Sequence, residues 1–178
     1  MSILYTERLL MRPLQISDLD DVFNYSCTPN VGSNAGWKPH ESKEETLKIM
    51  NEIFLDKETV WGIELIETKQ IIGSIGLIDD PKRQYDRVKM IGYAIGEGHW
   101  GKGFMTEAVH KVIEYGFEEL KLAAISAYCY PFNERSKNIM IKCNFDYEGT
   151  LKMAEKIYND NIYDNDCYLL TALRYYQK

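Results

Sequence analysis

Between positions 96 and 108 the chain reads Gly96-Glu-Gly98-His-Trp-Gly101-Lys-Gly103-Phe-Met-Thr-Glu-Ala108. The glycines let the backbone approach a ligand without interference from a Cβ. Apolar residues from Ala108 onward recur at helical spacing, so the turn runs into a helix N-terminus. Free N–H groups there, together with the helix dipole, make a pyrophosphate site. The chemistry implied is the holding of a diphosphate-bearing cosubstrate, and the physics alone does not choose which one. The frame 96–101 matches the Gly-x-Gly-x-x-Gly of dinucleotide sites. That fold expects an opening parallel unit and an acidic residue ending the next strand. Here the turn sits mid-chain behind an antiparallel hairpin, and the next strand ends in Cys129-Tyr130-Pro131. The frame Trp100–Ala108 meets neither objection.

Other chemistries find less support. Cys27, Cys129, Cys143 and Cys167 form no Cys-x-x-Cys and read as reduced, mostly buried thiols, with neither disulfide framework nor zinc site. Cys129 and Cys143 lack a histidine partner for nucleophilic catalysis. His99 borders the glycine turn and reads as a surface or supporting residue, His40 and His110 carry no recognisable constellation, and no metal is implied. A net charge of −6 without a basic cluster disfavours nucleic acid and suits a cationic partner. No apolar run approaches the ~18–20 residues of a membrane span, and the N-terminal stretch lacks a signal-peptide pattern. The expectation is a cytoplasmic protein with no membrane partner, a single domain over 1–178.

The elements that must position this turn follow from periodicity. Thr6–Leu14 reads as a strand, and Ser17 as the N-cap of a helix reaching Cys27. The segment 28–41, with Pro29, Gly32, Gly36 and Pro39, reads as a loop. Ser42-Lys-Glu-Glu45 reads as a capping box opening a helix through Phe54. Val60–Glu67 and Gln70–Asp79 form a hairpin, a polar loop covers Asp80–Arg87, and Lys89–Gly96 is a central strand. A helix follows the glycine turn, with Ala108, Val109, Val112, Ile113, Gly116, Phe117 and Leu120 on one face. Ala123–Tyr130 is a strand, and a helix from about Asn133 to Cys143 ends at Asn144. Phe145–Met153 and Asp166–Arg174 are the last strands. The order predicts a mixed α/β (α+β) sheet with helices on both faces.

The frame Trp100–Ala108 resembles the glycine turn Gln/Arg-x-x-Gly-x-Gly/Ala of the GNAT superfamily, with Trp100 at the Gln/Arg position and Met105 at the final small-residue position. It is similar to the RimJ/RimL branch, the ribosomal-protein-alanine acetyltransferases. Four further segments resemble that branch in order: Thr6–Leu14, Ile91-Gly-Tyr-Ala-Ile95, Asn133-Glu-Arg-Ser136 and Phe145-Asp-Tyr-Glu-Gly149.

The resemblance implies a mostly antiparallel, seven-stranded sheet splayed at the cofactor site, between the strands at 91–95 and 123–130. It implies acetyl-CoA as cosubstrate, its pantetheine arm pairing with backbone at Tyr93, Ala94 and Ile95 and with the side chain of Asn133. The pyrophosphate would rest on the backbone amides of Gly101, Lys102, Gly103, Phe104, Met105 and Thr106, with Trp100 also at the cofactor. The reaction would be direct acetyl transfer to a primary amine, either a protein N-terminus such as that of a ribosomal protein or a small amine. A homodimer is implied by analogy.

Such transfer needs a base, because an amine is protonated at neutral pH, and a donor for the leaving thiolate. Many family members carry a tyrosine donor where this chain has Met140, so the role passes to Ser136, whose alternative is helix capping. Glu155, just after the strand ending at Met153, resembles the branch's base, with Glu64 as the rival. Trp37 either floors the acceptor pocket or plugs the core. Asp164 and Tyr168 match the branch's late Asp-x-x-x-Tyr and are read as structural or acceptor-adjacent. Rival functions are an acetyl-CoA sensor without turnover, a polyamine or amino-sugar acetyltransferase, and a nicotinamide-cofactor protein.

Overall fold

The computed structural model describes residues 2–177. The strands are β1 (Leu4–Tyr5), β2 (Leu9–Arg12), β3 (Val60–Leu65), β4 (Gln70–Asp79), β5 (Val88–Ile95), β6 (Ala124–Cys129), β7 (Asp146–Lys156) and β8 (Ile162–Thr171). The helices are α1 (Leu19–Ser26), α2 (Pro29–Ala35), α3 (Lys43–Ile49), α4 (Phe104–Glu118), α5 (Glu134–Lys142) and α6 (Ala172–Tyr176). The strands form a mixed, mostly antiparallel eight-stranded sheet in the order β1-β2-β3-β4-β5-β6-β8-β7, with β5 and β6 parallel. The eighth strand, beyond the seven expected, is Leu4–Tyr5, which pairs with β2. The backbone groups into two compact units. One holds the residues up to Gly76 with Tyr93–Lys111, and the other Leu77–Gly92 with the residues from Val112 onward.

In the first unit β2 buries Leu9 and Met11 completely while Leu10 and Arg12 are half-buried, the period-two pattern of a strand with one core face. Each such side chain contributes about 1.5–3 kcal/mol of burial. The hairpin β3–β4 turns at Lys69, whose φ is 62°, and carries a bulge between Ile63 and Glu64. Gly73 on β4 is needed for packing, because a Cβ there would lie 2.3 Å from the carbonyl oxygen of Ala94. Leu14, Val22, Tyr25, Val31, Met50, Ile71 and Ala94 form a core cluster, with Trp37 and Trp100 packed against it.

Three expectations in this unit are corrected. Ser17 does not cap the first helix. Residues Ile16–Asp18 form a 3-10 turn in which Asp18 Oδ2 accepts the Gln15 N–H at 2.8 Å, and α1 begins at Leu19. Asp18 is held there by the Arg12 guanidinium, with both nitrogen–oxygen distances 2.8 Å. The segment 28–41 is not all loop, because Pro29 opens α2 and Gly36, at φ 83°, closes it. The capping box at Ser42 is half-formed. Ser42 Oγ accepts the Glu45 N–H at 3.2 Å, but the Glu45 carboxylate takes the N–H of Glu41 instead. After α3 the chain widens into a π-helical turn at Met50–Phe54.

In the second unit β6 pairs with β5 from Val88↔Ala124 to Met90↔Ser126, and with β8 from Ala124↔Thr171 to Cys129↔Asp166. The loop between β4 and β5 is pinned to β6 by Asp80, which is 3% exposed. Its carboxylate accepts from Ser126 Oγ at 2.7 Å, from the Tyr128 hydroxyl at 2.9 Å and from the Lys82 N–H at 2.7 Å. Arg83 donates to the Tyr128 hydroxyl at 2.7 Å and pairs with Glu148. Burial alone would raise the carboxyl pKa of Asp80, but these donors outweigh it and hold the group below its ordinary value. Asn133 caps α5, and Asn144 takes the left-handed conformation expected of it, at φ 64°.

Further boundaries differ here. β7 runs on through Glu155 to Lys156, past a bulge between Leu151 and Glu155 where Met153 has φ 49°. The last strand starts at Ile162 and stops at Thr171, because Thr171 Oγ1 accepts the Arg174 N–H and starts α6. α4 ends at Glu118, so Leu120 lies beyond its buried face.

Candidate active site

The glycine turn enters α4 with Gly101 at φ 74° and Gly103 at φ 81°. Both conformations are strained for any residue with a Cβ. A Cβ at Gly101 would meet nothing within 4 Å, so the backbone at that position is open. Gly101, Lys102 and Gly103 are exposed, whereas Phe104 and Met105 are buried and anchor the helix start. Thr106 is half-buried. Trp100, where the family has Gln or Arg, donates its indole N–H to the Ile95 carbonyl at 2.8 Å and so ties the turn to the end of β5. Tyr93 is half-buried on β5, and Ala94 and Ile95 are buried. Open amides at a helix start, flanked by positive-φ glycines, fit a pyrophosphate group.

Arg8 carries a role the sequence reading did not assign. Its Nη1 donates to the Lys102 carbonyl at 3.0 Å, its Nε to Glu107 Oε2 at 2.7 Å, and its guanidinium carbon lies 4.5 Å from the centre of the Phe104 ring. Burial would raise the Glu107 carboxyl, but hydrogen bonds from Thr6 and Arg8 keep it below its ordinary value. The only signal was the pair of opposite charges in Thr6-Glu-Arg8 and Thr106-Glu107, and no spacing rule joins them. Glu97, beside the turn, accepts from Asn30 Nδ2 at 3.0 Å and so holds α2. His99 packs against Phe104, and its Nδ1 is buried without a hydrogen-bond partner. Burial first, then Lys102, lowers its pKa.

The acyl-transfer candidates of the second unit surround the end of β6. Asn133 Oδ1 accepts the Ser136 N–H at 3.1 Å, so this side chain is an N-cap. Ser136 is half-buried, and its hydroxyl interacts with Cys129 and acts to lower the thiol's pKa. Cys129 is buried and its thiol is pushed up to about 11, chiefly by burial and then by Asp166, which disarms it as a nucleophile. Met140 is 1% exposed and belongs to the core. Glu155 is exposed on β7, opposite Tyr163. Tyr130 donates its hydroxyl to Glu155. Burial and then that carboxylate raise the tyrosine's pKa. Sequence reading missed Tyr130, because a tyrosine at the end of a strand carries no signal of its own.

The rival base is otherwise engaged. Glu64 is 6% exposed and receives Arg12 Nε at 2.7 Å, with Lys69 at 3.9 Å. The hydrogen bonds that Arg12 donates to Asp18 and Glu64 raise its pKa further. Glu155 takes part in no ion pair among the described residues. Trp37 lies over Gly32, with its indole nitrogen 3.1 Å from where a Cβ would stand, and packs on the core cluster. Asp164 pairs with Lys152 at 2.8 Å, and Tyr168 is buried against Tyr147.

Known proteins resemble this chain in sequence and in fold. Residues 8–146 match the family model described as an acetyltransferase (GNAT) domain. N-acetyltransferase p20 of Bacillus licheniformis is 33% identical over 180 residues, covering 98% of this chain and 97% of that protein. The spermidine N-acetyltransferase of Vibrio cholerae, solved with CoA and spermine, superposes with a TM-score of 0.79 at 24% identity, covering 96% of this chain and 99% of that one. The ribosomal-protein-S5-alanine acetyltransferase of Vibrio fischeri gives a TM-score of 0.73 at 22% identity, covering 97% of each chain. With a family match over residues 8–146 and a relative 33% identical along nearly its whole length, the chain belongs to the GNAT family and is an acetyl-CoA-dependent N-acetyltransferase.

Proposed function

We propose that this enzyme transfers acetyl directly to a primary amine, with Glu155 as base and Ser136 as hydrogen-bond donor to the departing sulfur. The observation that carries the assignment is the contrast between two glutamates. Glu64 is spent on Arg12, whereas Glu155 is exposed and bonded only by a neutral phenol. A carboxylate has about four lone-pair sites, so the Tyr130 bond leaves room for an ammonium. Ser136 stands in the first turn of α5, close enough to the Cys129 thiol to lower its pKa. No covalent enzyme intermediate is involved, since Cys129 is held protonated.

Toward acetyl-CoA, the amides from Gly101 to Thr106 take the pyrophosphate. The backbone of Tyr93, Ala94 and Ile95 serves the pantetheine arm. The RimJ/RimL motifs and the likeness to the S5-alanine enzyme support a place in that branch, and with it a cytoplasmic homodimer. Sedimentation at twice the chain mass tests the dimer.

The reaction is tested by following thiol release from acetyl-CoA, and the mass of the product, with a panel of primary amines and N-terminal peptides. Turnover with at least one primary amine is expected. Acetyl-CoA binding without turnover on any member would make the chain a binding module.

A further inference from the structure

Around Glu155 three aromatic rings converge. Tyr130 and Phe132 stack with centroids 5.3 Å apart and 27° between planes. Tyr163 tilts against Tyr130 at 5.1 Å and meets Phe132 edge-on at 5.3 Å. Tyr163 is the cross-strand partner of Glu155, and Tyr130 donates its hydroxyl to the same carboxylate. The group reaches from the core to the surface, because Tyr130 is buried at 4%, Tyr163 is half-buried, and Phe132 at 52% and Glu155 are exposed. The neighbouring cation, Lys156, is engaged with Asp160 at 2.7 Å. An open carboxylate beside ring faces, with no ion-pair partner among the described residues, attracts a cation twice over. The carboxylate supplies charge, and each ring supplies the negative face of its quadrupole.

We propose that Tyr130, Phe132 and Tyr163, together with Glu155, form the recognition site for the acceptor, and that the acceptor is an aliphatic ammonium compound. The rings receive the alkyl chain and the cationic centre, and the carboxylate orients an N–H of the ammonium. The three rings carry two phenols, that of Tyr130 bonded to Glu155 and that of Tyr163 receiving Asn161 Nδ2 at 3.5 Å, and little else that a peptide backbone could pair with. The site therefore favours small alkylamines over protein N-termini. The cluster adjoins Ser136 in the chain, since Cys129, Tyr130 and Phe132 lead directly into the cap of α5. This inference rests on the reading of Glu155 as the group that meets the amine.

The test uses the full chain and two probes that cannot be acetylated on nitrogen: choline and its uncharged tert-butyl isostere. Calorimetric titration should show choline binding at least about tenfold tighter than the isostere, as expected when a desolvated cation meets ring faces. Phe132→Leu and Tyr163→Leu, which keep apolar volume, should each weaken choline by about 2- to 30-fold. Acetyl-CoA affinity should be unchanged in both, which also reports that they fold. Equal affinity for the two probes, no choline binding, or wild-type choline binding in both leucine variants would overturn the site. A peptide N-terminus turned over faster than every alkylamine would overturn the preference for small amines. The base assignment is read separately from the pH profile of Glu155→Gln. A wild-type profile there, with choline binding still dependent on Phe132, would remove the base and leave the recognition site standing.

Discussion

Arg8 and Glu107 stand 99 positions apart in the chain and grip each other through both backbone and side chain. The Arg8 N–H donates to Glu107 Oε1 at 3.0 Å, its Nε to Oε2 at 2.7 Å, and Nη2 lies 2.6 Å from Oε2. The same guanidinium holds the Lys102 carbonyl. The glycine turn is therefore fixed from outside by a residue of the N-terminal segment. Arg8→Ala should raise the Kd for acetyl-CoA by about tenfold, or roughly 1.4 kcal/mol. Thermal stability should barely move, since partly exposed ion pairs contribute about 0–1 kcal/mol. Calorimetry alongside thermal melts separates the two, and an unchanged Kd would reduce the clamp to surface decoration.

Gly103 at φ 81° admits no side chain without strain, and its Cβ would come 3.4 Å from Arg8 Nη2. Gly103→Ala should weaken acetyl-CoA modestly through that strain. Gly103→Glu should weaken it by more than about tenfold, because a negative charge then meets the pyrophosphate. Equal affinity in both variants and in wild type would move the phosphate site away from this turn.

Ser136→Ala separates catalysis from capping. The α5 cap is Asn133 Oδ1 on the Ser136 backbone N–H, which alanine retains. The helix should stay intact, while kcat falls by up to about 100-fold if the hydroxyl assists the leaving sulfur. Acetyl-CoA Kd should change little. Unchanged kcat would restrict Ser136 to its bond with Cys129.

Asp80 ties the β4–β5 loop to β6, and its folded carboxyl sits below the ordinary value of 3.8. A depressed carboxyl stabilises above its unfolded pKa and loses that contribution as pH falls through the folded value. Asp80→Asn should therefore cost about 2–4 kcal/mol near neutrality. The gap between wild type and variant should close below pH 3.8. Denaturant melts across that range test this, and a gap independent of pH would mean that Asp80 acts without its charge.

The sequence revealed the glycine turn, the helix after it and the capped helix at 134–142, because periodicity and caps are local signals. α2 escaped because its Pro29 and Gly36 read as loop residues. They are instead the start and stop of a short helix, which its own seven residues signal too weakly. Glu64 presented a charge within a strand that needed solvent or a partner, and its partner Arg12 lies 52 positions away. Arg8, Tyr130 and Asp80 have the same character, since their roles exist only once distant strands are paired. The length of β7 was also hidden, because a bulge at 151–155 breaks the alternation that would have carried the strand past Met153.

The proposal that Glu155 removes the proton of the acceptor amine is tested most directly by the pH dependence of kcat/KM for wild type and Glu155→Gln, with one primary alkylamine as acceptor. If Glu155 is the base, the variant should lose about 100-fold near pH 7. The loss should shrink as pH approaches the amine's own pKa near ~10, where the nucleophile is already neutral. A variant whose profile parallels that of wild type at every pH would contradict the assignment.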